Sequence, residues 1–329
     1  MSDWIVLSDR KDVAPGAALL DRGLFTMEFS LPLDRGTVLL DIQRDEGWPR
    51  SFSVFADPET GLSLLHRQGR DFRRHVLPGP LPPGAGRGRL SFAFDAPARH
   101  WSLRFTPLNG NPGHDVAGVD PLPLLIADLH ALASGGPRTR KHPTILWFGA
   151  TRGQAPPARA PWIGLRTPVD TLRGPVAAGQ LRPGDMIATL DAGPLPVLAV
   201  RRMVLPGRGS FAPVLLRAPY FGGSGDLLVS ADQQVLIAGA SVEYLFGEEE
   251  VLAPAGLLVD GRVAQMDERR AVTTCVALDL GQPVLITADG CCLLTTATPG
   301  QTLPRRALQD YEALPLMALL GRTALRLVA

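Results

Sequence analysis

The chain has 329 residues, 45% hydrophobic and 20% charged, with 33 basic against 32 acidic side chains. That is globular composition with core material for about two domains, and it excludes wholesale disorder. A net charge of +1 lacks the electrostatic footprint of a nucleic-acid binder.

Gly 35 and Pro 31, set between short apolar runs, point to an all-β chain rich in turns. The three cysteines (Cys275, Cys291, Cys292) offer neither a disulfide framework nor zinc spacing, so no metal or cofactor is expected. At the N-terminus, Asp3 and Asp9 stand where a secretory signal needs a basic start and an apolar run. No apolar stretch reaches the roughly 20 residues of a membrane span. The expectation is a cytoplasmic protein by default, with signal-less export left open.

From Phe25 to Leu31, apolar residues alternate with Thr26, Glu28 and Ser30, the period of a strand. Similar runs at Thr37–Gln43, Ser51–Phe55, Leu62–His66, Arg89–Phe94 and Trp101–Phe105 predict an antiparallel β-sandwich of jelly-roll or lectin-like kind. Pro78–Gly88 reads as a loop. Leu122, Leu125, Ile126, Leu129 and Leu132 then follow helical spacing, which predicts a helix over about 120–134, capped by Asp120 and stopped by Gly135-Gly136. Two basic, turn-rich stretches flank Ile145-Leu-Trp-Phe148, and 137–161 reads as a linker carrying a docking strand. The expected organisation is a sandwich over 1–136, a linker over 137–161, a second β domain over 162–300 and a helix-and-strand tail over 301–329. In the tail, Leu308, Tyr311 and Leu314 fall at helical spacing, and Thr323–Val328 reads as a last strand.

Within the second domain, Leu227–Ile237 lies over Val284–Leu294: an apolar triplet, a small hydroxyl residue, Ala-Asp, two residues, then apolar again. This weak repeat predicts two strand–turn–strand units with pseudo-two-fold symmetry, and Ala288-Asp-Gly290 is good hairpin chemistry.

Four segments, in order, resemble the Hint (Hedgehog/intein) family, especially its bacterial stand-alone modules. The family opens Cys-Phe-x-x-x-Thr-x-Ile-x-Thr-x-x-Gly, followed by Leu-x-x-Gly-Asp. Here Trp162-Ile-Gly-Leu-Arg-Thr167-Pro-Val169-Asp-Thr171-Leu-Arg-Gly174 precedes Leu181-Arg-Pro-Gly-Asp185. The second block, Ser/Thr-x-Asp-His before an apolar strand, resembles Ser230-Ala-Asp232-Gln233 before Gln-Val-Leu-Ile237. Val251–Gly261 and Thr274–Gly290 resemble later blocks. The resemblance implies a Hint-type β fold and, as the family's chemistry, an acyl shift that cleaves or splices the chain. A first-position Cys or Ser attacks the preceding carbonyl while the second-block hydroxyl and His polarise that peptide.

The family positions here are Trp162, Thr167, Ser230, Gln233 and Cys275. An indole is no nucleophile, and an amide cannot shuttle a proton near neutral pH. All six histidines precede residue 143, so the Hint-like region has none whatever the register. The expectation is therefore a catalytically inactive Hint module with a structural or recognition role, in which Ser230 bonds backbone near Trp162 for geometry alone. Autocatalysis through a displaced Cys275, Cys291 or Cys292 is a second reading. A third is glycan binding by the N-terminal domain, with Trp48, Trp101 and Asp41 as candidate ligand-binding residues. The partner is an unidentified protein or glycan, and self-association through sheet edges or Ile145–Phe148 is a further expectation. Asp232 and Asp289 read as turn residues, Glu248–Glu250 as a solvated turn, and the histidines as isolated surface or core residues.

Overall fold

Strands dominate both halves of the chain, as the period-two patterning requires. The structure is a computed structural model and describes residues 4–10, 19–155, 161–297, 300–312, 315–316 and 318. Two units separate within the chain, Asp3–Pro157 and Ala158–Ala329.

The N-terminal unit holds two larger antiparallel sheets. The first runs Trp4–Leu7, Ile145–Thr151, Arg22–Leu31, Gly86–Asp95, His100–Pro107, His114–Val119. The second runs Thr139–Lys141, Thr37–Arg44, Arg50–Asp57, Gly61–Gln68, Asp71–Pro78. Their apolar faces share one core, with Phe25 edge-on to Phe52 at 5.0 Å and His75 edge-on to Trp101 at 4.4 Å.

Several expectations change here. The stretch read as a linker supplies two strands, and Ile145–Thr151 lies between Trp4–Leu7 and Arg22–Leu31. Ile145, Trp147 and Phe148 are consequently buried in their own unit and form no surface patch. Their Gly, Pro and basic flanks look like a linker because the pairing partners lie more than a hundred residues upstream. The helix is shorter than expected, Ile126–Ser134, because Leu124–Leu125 pairs with Leu19–Leu20 instead. Asp120 does not cap it: its carboxylate takes both nitrogens of an Arg99 fork, at 2.6 and 3.1 Å. Gly135 does end it, at φ 69° in the left-handed region. The loop after Pro78 is also shorter, since Gly86–Gly88 already pairs with Phe29–Leu31.

The C-terminal unit is built of two further sheets around one core. The first is ordered Ala199–Pro206, Val272–Asp279, Ile163–Gly164, Leu227–Val229, Val214–Leu216, Ala264–Met266. In the second, Pro168–Thr171, Leu285–Ala288, Cys291–Leu294, Gln234–Ala238 and Glu250–Pro254 are successive neighbours, and Gly174–Ala177 pairs back onto Pro168–Thr171. The two copies of the repeat are used differently. Leu285–Ala288 and Cys291–Leu294 form a hairpin through Asp289 (φ 47°) and Gly290 (φ 77°). Leu227–Val229 and Gln234–Ala238 belong to different sheets, because four residues separate them and Ser230 and Gln233 bond elsewhere. In the tail, Arg306–Ala307 forms a parallel bridge to Val251–Leu252 and Asp310–Glu312 a single 3-10 turn. Leu308 is buried while Tyr311 is exposed, so the expected apolar stripe does not form. Leu314 and Thr323–Val328 lie outside the described residues.

Candidate functional site

The two-residue strand Ile163–Gly164 sits between Val229 on one side and Cys275–Val276 on the other. That placement delivers Trp162 beside Ser230, the residue after Leu227–Val229. The two are joined reciprocally: the Trp162 N–H donates to Ser230 Oγ at 3.2 Å, and the Ser230 N–H donates to the Trp162 carbonyl at 3.0 Å. Both residues are buried, at 3% and 5% exposure. A buried backbone N–H without an acceptor is costly, so the hydroxyl at 230 meets a structural need.

Three residues on, the Gln233 N–H closes a turn onto the Ser230 carbonyl at 3.1 Å. Its side chain is buried, and Nε2 donates to the Leu294 carbonyl at 2.7 Å and to the Gln234 carbonyl at 3.1 Å. Both amide hydrogens are thereby engaged with backbone oxygens. Thr167, also buried, closes the turn after Gly164, its N–H donating to the Gly164 carbonyl at 3.1 Å.

The space between these groups is small. Pro161, Trp162, Gln233, Ala277, Leu294 and Thr295 are among the residues around a void of about 10 Å³, about the least a single water needs. None of the lining side chains is a thiol, imidazole or carboxylate. The Thr295 hydroxyl is committed, accepting from the Val284 N–H at 3.0 Å and donating to the Gln282 carbonyl at 3.3 Å. Sequence reasoning missed Thr295 and the Leu294 carbonyl; a backbone acceptor has no signature in the sequence.

Cys275 lies opposite Gly164 in the ladder, fully buried, with Sγ directed to the Met203 carbonyl at 3.8 Å. Burial pushes its thiol up to about 12. The Cys291 thiol is raised by burial too. Cys291 packs in the main core and Cys292 against a separate apolar cluster, the alternation of a strand. Asp289 ties down a neighbouring loop, accepting from the N–H groups of Ser224 and Gly225 at 2.9 and 2.7 Å. Glu250 is a strand residue that shares Arg305 with Asp191. Among the described residues no three His, Cys, Asp or Glu side chains are grouped as metal ligands.

In the N-terminal unit, the three candidate ligand-binding residues occupy different surroundings. Trp101 is a core residue: its ring packs on His75 and over Gly118, and its Nε1–H donates to the Val119 carbonyl at 3.1 Å. Burial leaves it no face for a sugar. Trp48 is exposed, with the Arg50 guanidinium 4.7 Å over its ring. Asp41 accepts from Ser53 Oγ at 2.6 Å on the other sheet from Trp101. His66 and His75 are buried core residues.

No helix among the described residues is long and apolar enough to cross a membrane. No curated protein matches the chain. Two crystal structures of the MchDnaB-1 intein are similar at 21% and 22% identity, over 41% and 40% of this chain and 99% and 98% of the intein chains, with TM-scores of 0.27 and 0.24. The family model for the Hint domain matches residues 165–299, the stretch that carries the Thr167, Ser230 and Gln233 positions. On that match this chain carries a Hint domain within its C-terminal unit.

Proposed function

We propose that this Hint domain has kept its frame and lost its acyl-shift chemistry, and that the protein has a structural or recognition role. The observation that carries the reading is the pairing of Trp162 with Ser230 beside a Gln233 amide spent on two carbonyls. Ser230 Oγ still bonds the N–H of the Pro161–Trp162 peptide, which is the frame kept, whereas an indole stands at the nucleophile's position and, at the proton carrier's, an amide that does not titrate near neutral pH. Nucleophilic catalysis needs an activated nucleophile within reach of a base. A thiol with a pKa of about 12 is thiolate in only about one molecule in 10⁵ at pH 7, so Cys275 is a poor displaced nucleophile.

The test is the intact mass of the purified full-length chain, incubated with and without dithiothreitol or hydroxylamine. A single full-length species is expected in every condition. Fragments split between Pro161 and Trp162 would overturn the reading. Fragments lost in a Cys275→Ala variant would revive the displaced-thiol reading.

A further inference from the structure

Pro168–Thr171 and Gly174–Ala177 form a hairpin whose tip is Leu172-Arg173, with Thr171 paired to Gly174. Leu172 is 61% exposed there. The hairpin, the turn Ala178–Gln180, the turn leading into Met186–Ile187 and Arg202 of Ala199–Pro206 surround an open groove of about 810 Å³. Leu172, Arg173, Val176, Arg182, Met186 and Arg202 line it.

Three arginines thus line a groove that has a single acidic residue, Asp185, among its walls. Asp185 is already engaged, its Oδ2 accepting from the Arg182 backbone N–H at 2.8 Å. Arg202 is anchored through one nitrogen, which donates to the Gly179 carbonyl at 2.6 Å. The guanidinium groups of Arg173 and Arg182 are exposed and have no ion pair or hydrogen-bond partner among the described residues. The arginine fork is weakly hydrated and matches a carboxylate through two parallel bonds.

The backbone narrows the class of anion. Phosphate sites are built from free N–H groups in nests or at helix N-termini. Here the N–H of Leu172 goes to the Met186 carbonyl, that of Gly184 to the Val197 carbonyl and that of Asp185 to the Arg182 carbonyl. The N–H of Arg173 goes to Thr171 Oγ1. Recognition is left to side-chain forks and to apolar walls, since Leu172 and Met186 are both exposed. No aromatic ring lines the groove to stack a base, and the chain as a whole is nearly neutral.

We propose that this groove binds an acidic, amphipathic peptide segment of a partner protein, with its carboxylates on Arg173, Arg182 and Arg202 and its apolar side chains on Leu172 and Met186. This deepens the recognition role proposed above and rests on it.

The test is fluorescence anisotropy of the full-length chain with a labelled peptide of about ten residues in which glutamates alternate with leucine and serine. Saturable binding is expected, weakening with added salt as partly exposed charge pairs do. In an Arg173→Ala/Arg182→Ala variant the affinity should fall at least tenfold. These side chains bond nothing in the fold, and an unchanged thermal melt checks that it is intact. No binding, binding unchanged in the variant, or preference for oligothymidylate or tripolyphosphate over the peptide would each overturn the proposal. Such a failure leaves the mass of the chain at full length. Self-cleavage instead appears in the mass and refutes the earlier reading without touching the anisotropy.

Discussion

At the scale of single residues, the site is a matter of which hydrogen bonds are compulsory. Ser230 holds the buried N–H of Trp162, and Gln233 holds the buried carbonyl of Leu294 and the partly buried one of Gln234. Ser230→Ala removes the acceptor and strands the donor, so it should destabilise the C-terminal unit by about 1–3 kcal/mol in urea unfolding. Gln233→His offers one N–H where the amide offers two. It should therefore cost less than Gln233→Ala, which leaves both carbonyls unserved by the side chain. Equal losses for the two would show that the amide bonds carry no stability. The absence of imidazole from residues 162–297 was legible from composition alone. The use made of Gln233 was not, because its acceptor at Leu294 lies 61 residues away and is backbone.

At the scale of elements, the strand Ile145–Thr151 is the clearest departure from sequence expectation. Its apolar run was visible, but the turn-rich flanks hid that it pairs on both sides. Gly149 shows how closely it is packed: a Cβ there would lie 2.6 Å from the Trp4 ring and 2.8 Å from the Val6 carbonyl. Gly149→Ala should lower the stability of the N-terminal unit by about 1–3 kcal/mol. A fragment ending at residue 136 lacks this strand and Thr139–Lys141, which leaves Arg22–Leu31 and Thr37–Arg44 each without one of its two neighbours. It should show no cooperative thermal transition by circular dichroism, whereas a fragment ending at residue 157 should. If both melt alike, the strand is dispensable. The Asp289-Gly290 hairpin was legible because its chemistry is local. The different fates of the two repeat copies were not, since pairing partners chosen across sheets leave no local trace.

At the scale of the whole molecule, the histidines divide the chain. Burial lowers His66 to about 3 and His75 to about 4, from an ordinary value near 6.5. The folded N-terminal unit therefore binds fewer protons than its unfolded form below about pH 6.5. Its stability should fall as the pH drops from there toward 4. The described part of the C-terminal unit has no histidine to titrate in that range. Hydrogen exchange at pH 7 and pH 5 should show protection lost in residues 19–155 and kept in 161–297. A His66→Leu variant should reduce the difference, and equal loss in both regions would refute the assignment. By itself, the sequence determined the β character, the Hint frame of residues 165–299 and the absence of histidine from that stretch. Those follow from short-range periodicity and from which functional groups are present. The tertiary structure alone decided that the strand in the supposed linker pairs on both sides within the first sheet, that Trp101 is core, that Ser230 clasps Trp162 and that three arginines share one groove. Each of these depends on contacts between residues far apart in the chain, where local preference gives way to packing and to the need to satisfy buried polar groups.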